Sequence, residues 1–456
     1  MDSDDGRPLL RFPHGAVRVT EMLGVDNDPE ETVSLADILE AASLKQALVT
    51  SFLVDDEWLA GHFRDSTPVT LVTNPDTTSN SNSGRGSNPA HTAASCGSTS
   101  RRFRRVHPEF PKGGFQIMHS KIMLLFYARS LRFVAGSANL IPDDWSVMQN
   151  SLFVQDFRLD RRAVFPGNEF SFSLAYALHD LSVPAEIVAL LNNVDFSAAR
   201  IRIVTSVPTG GGGGGGVRRN MNMPSYGMER LAEVVADAAG DSTADLGGAD
   251  LKTPAGFQPT ARLLCVGSSL GQMDTKWLRD FYLCAHGLPD IPKTSLGARE
   301  KLVPDDLIDI GIGFHTQEDV EGCRYGAQCG SYIMLSSQVY GDEREFPRSS
   351  LCRVVPRVDD TLVHAKAIVA RFGEKQNRGW VYVGSHNFTP AAWGRLRIGH
   401  ATYFNNYEFG VVLPNTQYTR VTTEETAVSW DSENIPLPFR LVWQPYSRSD
   451  VPHFSK

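Results

Sequence analysis

Residues 119–145 read HSKIMLLFYARSLRFVAGSANLIPDDW, and residues 364–393 read HAKAIVARFGEKQNRGWVYVGSHNFTPAAW. Both stretches follow one pattern: His-x-Lys, an apolar run, a polar turn, a second apolar run, then Gly-Ser-x-Asn, an apolar residue, x, Pro, x, x, Trp. The first copy supplies His119, Lys121, Gly136, Asn139, Pro142 and Trp145, and the second His364, Lys366, Gly384, Asn387, Pro390 and Trp393. The gap between Lys and Asn is 17 residues in one copy and 20 in the other. A single His-x-Lys is noise in a chain of 456 residues. Two copies, each ending in the same ten-residue pattern, mark an internal duplication.

The physics of the repeat points to phosphate. Residues i and i+2 of a strand share a face, so His119 and Lys121 project together, as do His364 and Lys366. If each copy forms a hairpin, its second strand returns Asn139 or Asn387 beside the His and Lys. The preceding glycine permits close backbone approach. Pro142 and Pro390 suit the first turn of a helix, and Thr389 suits an N-cap. One such set binds a phosphoryl group. Two sets facing each other supply two histidines, two ammonium groups and two amides. In-line displacement through a covalent intermediate needs that inventory, with one imidazole attacking phosphorus and the other handling the leaving group's proton. Trp145 and Trp393 read as core residues.

Outward from the repeat, the chain is long enough for two packed units or one large duplicated one. A formal charge of −8 argues against nucleic-acid binding by bulk charge, so a nucleic-acid enzyme of this composition needs a locally basic groove. Arg101, Arg102, Arg104 and Arg105 form a basic run that is either a solvated loop end or a guide for a polyanion. The six cysteines, Cys96, Cys265, Cys284, Cys323, Cys329 and Cys352, include no C-x-x-C pair and no zinc spacing; reduced thiols are expected, although Cys323 and Cys329 could meet. The N-terminus MDSDDGRPLL lacks the apolar core of a signal peptide, and runs such as Ile122 to Tyr127 are too short to span a bilayer, which reads as a soluble intracellular protein.

Two segments read as flexible loops: 77–105, dense in Ser, Asn, Thr and Gly, and 209–217, around seven consecutive glycines. The second lies near an expected boundary at residue 200, which divides the chain into 1–200 and 201–456, one motif in each. Ile122–Phe126, Leu131–Ala135, Ile201–Thr205, Ala367–Ala370 and Trp380–Val383 are expected as strands. Leu35–Leu48, Pro184–Asn192 and Gly227–Ala239 are expected as helices. Sheets covered by helices follow.

These motifs resemble those of the phospholipase D superfamily. That superfamily's pattern continues H-x-K-x-x-x-x-D, but here Phe126 and Arg371 occupy the Asp positions. Loss of both, with an Asn downstream in each half, resembles the tyrosyl-DNA phosphodiesterase family. FLVDDEW (52–58), VGSSLG (266–271) followed by Lys276-Trp277, and NYEFGV (406–411) are similar to further segments of that family. The resemblance implies two similar α/β/α sandwich domains related by a pseudo-two-fold axis, with the active site between them. It implies His119 as nucleophile, His364 as general acid and then base, and Lys121, Lys366, Asn139 and Asn387 as phosphate ligands. Glu408 matches the acid that orients the nucleophilic histidine. Asn150 falls where many members carry a Gln supporting the other histidine, and an Asn is shorter. Phe115 matches an aromatic that stacks on a DNA base, with an apolar strand residue as the alternative reading. Ser268 and Thr389 match positions that contact DNA phosphate.

The implied activity is hydrolysis of a 3′-phosphotyrosyl bond between DNA and a topoisomerase-derived peptide, leaving a 3′-phosphate, with other blocked 3′ ends as further substrates. The implied partner is a single-stranded or nicked DNA 3′ end. No cofactor, metal or membrane is implied, and a nuclear monomer, close to a bare catalytic region, is expected. Rival readings are a lipase or nonspecific nuclease of the superfamily, and a noncatalytic DNA-end binder. The absent Asp residues and the lack of a membrane-binding segment count against the lipase. The complete His-Lys-Asn sets count against the binder.

Overall fold

The computed structural model describes residues 10–75, 102–111, 116–209, 225–241, 261–291, 294–344, 346–372, 378–397, 400–414 and 435–455. Most of segment 77–105 and nearly all of 209–217, expected as loops, lie outside the described residues.

In the first half the strands are β1 (Ala16–Thr20), β2 (Thr32–Val33), β3 (Gln46–Thr50), β4 (Val69–Val72), β5 (Arg104–Val106), β6 (Ile117–Met118), β7 (Ile122–Phe126), β8 (Ser130–Gly136), β9 (Met148–Gln149) and β10 (Ser151–Arg158). In the second they are β11 (Arg202–Ser206), β12 (Arg262–Val266), β13 (Ile310–Phe314), β14 (Leu351–Arg353), β15 (Leu362–Val363), β16 (Lys366–Phe372), β17 (Arg378–Gly384), β18 (Arg395–Arg397), β19 (His400–Tyr403) and β20 (Asn406–Pro414). The five expected strands are all present.

Two sheets carry the duplication. The first runs β2-β1-β10-β8-β7-β3-β4-β5, and the second β11-β20-β17-β16-β12-β13-β14. Leaving β2 aside, the two orders superpose strand for strand. So do the directions: four antiparallel pairings, then two parallel ones. The apolar runs of each motif are the hairpins β7–β8 and β16–β17.

These central strands read as continuous apolar runs because both of their faces are buried. Along β7, Leu124 points to one cluster and Leu125 to another. On the inner side, Leu124, Phe133 and Phe153 of the first sheet meet Val369, Val383 and Phe409 of the second, so both halves share one core. Phe170, Leu174 and Leu178 of helix Glu169–Asp180 pack into that layer. Each such side chain contributes about 1.5–3 kcal/mol by leaving water. Helices Leu35–Leu39 and Asp56–Gly61 cover the outer face of the first sheet. Helices Gly227–Asp241 and Thr275–Ala285 cover that of the second. The result is an α/β fold of two similar helix-covered sheets.

One expected helix is cut short. Ser34 and Asp37 close a capping box at the start of Leu35–Leu39, but Glu40 adopts a left-handed conformation with φ 42°. Gln46–Thr50 then pairs with β7. The apolar spacing through Leu44 and Leu48, which suggested a helix to residue 48, serves a turn and a buried strand instead. Helix Ala185–Val188 with its following 3-10 turn, and helix Gly227–Asp241, fall where helices are expected. Among the described residues no helix is long and apolar enough to cross a membrane. The five described cysteines carry free thiols, and Cys96 lies outside the described residues.

Candidate active site

Each His-x-Lys begins on the other half's strands. β6 pairs in parallel with β20, and His119 N–H donates to the Tyr407 carbonyl at 2.9 Å. β15 pairs in parallel with β9, and His364 N–H donates to the Gln149 carbonyl at 2.8 Å. The chain then crosses to its own sheet. Gly136 N–H donates to the Lys121 carbonyl at 3.1 Å, and Lys366 stands opposite Gly384 in the ladder. The histidine and lysine therefore sit at the seam between halves, not within one regular strand as expected. Each motif glycine is required where it stands. A Cβ on Gly136 would lie 2.5 Å from the Ser151 carbonyl oxygen, and one on Gly384 would lie 2.5 Å from Gly410 Cα.

This crossing gives each histidine a carboxylate from the opposite half. His119 Nδ1 lies 2.9 Å from Glu408 Oε2. His364 Nδ1 lies 3.0 Å from Asp144 Oδ1, off the line of an ideal hydrogen bond. An ionised carboxylate only accepts, so the proton of a neutral His119 sits on Nδ1 and its Nε2 keeps a lone pair. Ser385 Oγ also donates to Glu408 Oε2, and Asn406 Nδ2 donates to Oε1 at 2.9 Å. Asp144 is held in turn: its Oδ2 accepts from Asn139 N at 2.6 Å and Asn139 Nδ2 at 2.9 Å.

The asparagines are oriented in matching ways. Asn387 Oδ1 accepts from Ser268 N at 3.2 Å and Ser269 N at 3.1 Å. Asn139 Oδ1 accepts from Leu53 N at 3.2 Å, on the equivalent loop. With their carbonyl ends engaged, Asn387 presents its amide N–H donors at the other end, while Asn139 commits one to Asp144 and keeps the second. Lys121 and Lys366 each donate to the carbonyl of their own motif histidine at 2.6 Å.

Both His-Lys-Asn sets are buried, as are Glu408 and Asp144. Burial, reinforced by Lys366, holds Lys121 well below the usual lysine range. Burial pushes Lys366 down to about 7 against the opposing pull of Asp144 and Glu408. Burial lowers His119 and His364, although Glu408 and Asp144 oppose the shift. Glu408 and Asp144 stay ionised: burial alone would raise them, but the facing histidines hold them below the ordinary carboxylate range. Two buried ammonium groups that feel one another, flanked by amide donors, favour an anion between them.

Residues 16–447 match the family model described as tyrosyl-DNA phosphodiesterase. The chain belongs to the tyrosyl-DNA phosphodiesterase family. It is 24% identical to tyrosyl-DNA phosphodiesterase 1 of Arabidopsis thaliana, over 98% of this chain and 76% of the relative. It is also 24% identical to a probable tyrosyl-DNA phosphodiesterase of Caenorhabditis elegans, over 96% and 88% respectively. A crystal structure of a yeast tyrosyl-DNA phosphodiesterase 1 mutant shares the fold, with a TM-score of 0.70 at 15% identity, covering 96% of this chain and 99% of that one.

Within this tyrosyl-DNA phosphodiesterase framework, the structure gathers His119, Lys121, Asn139, His364, Lys366, Asn387 and Glu408 into one seam. Asn150 is displaced from its expected part. Gly136 pairs with Leu152 and Gly384 with Gly410, so Asn150 and Glu408 hold equivalent positions in the two sheets. The serine contact persists, Ser137 Oγ donating to Asn150 Oδ1 at 2.8 Å. The shorter side chain ends there, and its Nδ2 donates to the Asp144 carbonyl at 3.0 Å. Asp144, absent from the sequence reading, faces His364 instead. The available signal was the pair Asp143-Asp144, where the second copy carries Ala391-Ala392.

Ser268 is buried against Asn387, with its Oγ 3.5 Å from Oδ1. Thr389 caps the one-turn helix Pro390–Trp393, as expected, by accepting from Ala392 N. Phe115 lies outside the described residues. Phe52 is a further aromatic at the site, its ring centroid 5.4 Å from that of His119 and 5.8 Å from Lys121 Nζ. Of the basic run, Arg101 lies outside the described residues. Arg102 pairs with Asp65, Arg104 with Glu186 and Arg105 with Asp56, so neighbouring carboxylates match their charge, and Arg104 and Arg105 lie in β5 rather than in the expected loop. Trp145 and Trp393 pack in the core, as expected. Among the described residues no group of three or more His, Cys, Asp or Glu could hold a metal ion.

Proposed function

We propose that this phosphodiesterase hydrolyses the 3′-phosphotyrosyl bond joining a DNA 3′ end to a topoisomerase I-derived peptide, leaving a 3′-phosphate. The crossed pairs Glu408–His119 and Asp144–His364 carry the proposal, because they give two histidines separately fixed orientations around one phosphate seam. His119 Nε2 attacks phosphorus, and a P–N bond forms as the bond to the tyrosyl oxygen breaks. Protonated His364 delivers its proton to that oxygen. Substrate phosphate, being anionic, draws the depressed His364 upward and so favours the protonated acid. Glu408 stabilises the positive charge on the phosphorylated imidazole. His364, now neutral, then takes a proton from water as water attacks phosphorus, and the P–N electron pair returns to His119. Lys121, Lys366, Asn139 and Asn387 stabilise the charge on the phosphoryl oxygens, so the scheme draws on no metal.

Family resemblance supports DNA repair in the nucleus as the setting, a single-stranded or nicked 3′ end as the DNA partner, a monomer as the working state, and other blocked 3′ ends as further substrates. Incubation with a single-stranded oligonucleotide bearing 3′-phosphotyrosine, in excess EDTA, tests the reading. The expected product is the 3′-phosphate, lost in His119→Ala. Binding without turnover would favour the end binder instead, and hydrolysis of phosphatidylcholine alone would favour the lipase.

A further inference from the structure

Tyr332 ends a 3-10 turn, Ala327–Tyr332, that belongs to neither motif. Its ring centroid lies 5.9 Å from that of His364 at an interplanar angle of 62°. Its hydroxyl donates to Asp143 Oδ2 at 2.8 Å, across the seam to the turn that carries Asp144. The hydroxyl is thus anchored beside His364, and the ring is only half-buried. On the other side of the seam, Phe52 stands beside His119. Each histidine has its own aromatic neighbour, one from each half.

We propose that Tyr332 forms an aromatic subsite for the leaving group, against which the departing tyrosyl ring packs as His364 protonates its oxygen. This rests on the reading of His364 as the general acid. A leaving group protonated by His364 must lie beside that imidazole, and Tyr332 offers the half-exposed aromatic surface there. Offset or edge-to-face packing of two rings rewards an aromatic leaving group and gives an alkyl one nothing comparable. Tyr332 is a specificity residue in this account, not a proton donor, since burial and its bond to Asp143 raise its phenol above the ordinary tyrosine value.

The test compares two oligonucleotides, one ending in 3′-phosphotyrosine and one in a 3′-phosphohexyl ester, by kcat/KM. In Tyr332→Leu the tyrosyl-to-hexyl ratio is expected to fall about threefold to tenfold, the worth of one aromatic pair. In Tyr332→Phe, which keeps the ring and loses the bond to Asp143, the ratio is expected to hold. An unchanged ratio in Tyr332→Leu, whether or not both rates drop, overturns the subsite and leaves only a structural role. A wild-type enzyme that turns over neither substrate overturns the proposed function, and this inference with it.

Discussion

Asn150, one residue before β10, stands at the position equivalent to Glu408 of β20, yet only Glu408 reaches a histidine. The duplicated frame is symmetric, and the carboxylates that serve it are not. Glu408 acts from a strand, Asp144 from a 3-10 turn six residues before Asn150. The two half-sites can therefore be perturbed separately.

Asp144→Asn removes the charge facing His364 while keeping the shape. Turnover is expected to drop about tenfold to hundredfold, part of what a positioned acid contributes, with the alkaline limb of the pH profile shifted. Asn150→Ala should act chiefly on stability, by about 1–2 kcal/mol for a buried hydrogen-bonded amide. Steady-state kinetics and urea unfolding of both variants check this. The account fails here if Asn150→Ala costs more turnover than Asp144→Asn.

For the free enzyme, kcat/KM requires neutral His119 together with protonated His364, Lys121 and Lys366. His119 is lowered by burial, so the acid limb should lie below the ordinary histidine value of 6.5. Burial holds Lys366 at about 7 and lowers Lys121 and His364 as well, so the alkaline limb should set in no higher than about 7 rather than near the ordinary lysine value of 10.5. A profile flat from pH 7 to 10 would contradict the reading of Lys366.

Lys366 should also cost the unliganded protein stability. Its folded pKa is depressed, so the unfolded chain binds more protons between about 7 and 10.5. The destabilisation is full below about 7 and lifts as pH rises toward 10.5. Lys366→Met is therefore expected to raise Tm at pH 6 while abolishing turnover. A lower Tm at that pH would contradict the buried-charge argument.

Gly136 and Gly384 are needed for the close approach of neighbouring strands. Gly136→Ala or Gly384→Ala should destabilise by about 1–3 kcal/mol, as forced overpacking does. Urea midpoints measure it, and a neutral result would mean the strands can part without penalty.

Much of this was legible in the sequence because a repeat constrains what one copy cannot. The two hairpins and both His-Lys-Asn sets follow from the matched motifs. Glu408 was reached through NYEFGV, whose likeness to a family strand placed it. Asp144 stayed hidden because the repeat places Ala392 opposite it, so no symmetry argument points there. The helix ending at Leu39 was overextended because Leu44 and Leu48 keep a helical spacing while serving a turn and a strand. The seam itself was not legible: nothing in His-x-Lys says that β6 and β15 pair with the opposite half. Tyr332 lies outside every motif, and only the fold brings it to His364.

The central claim is that His119 attacks and His364 completes the reaction. Intact-mass analysis of His364→Asn, quenched under neutral denaturing conditions after one turnover on a 3′-phosphotyrosyl oligonucleotide, tests it most directly. The account expects a protein–oligonucleotide adduct without the tyrosine, labile to acid and mapped by peptide mass to His119. An adduct on another residue, or release of tyrosine with no adduct at any time, would contradict it.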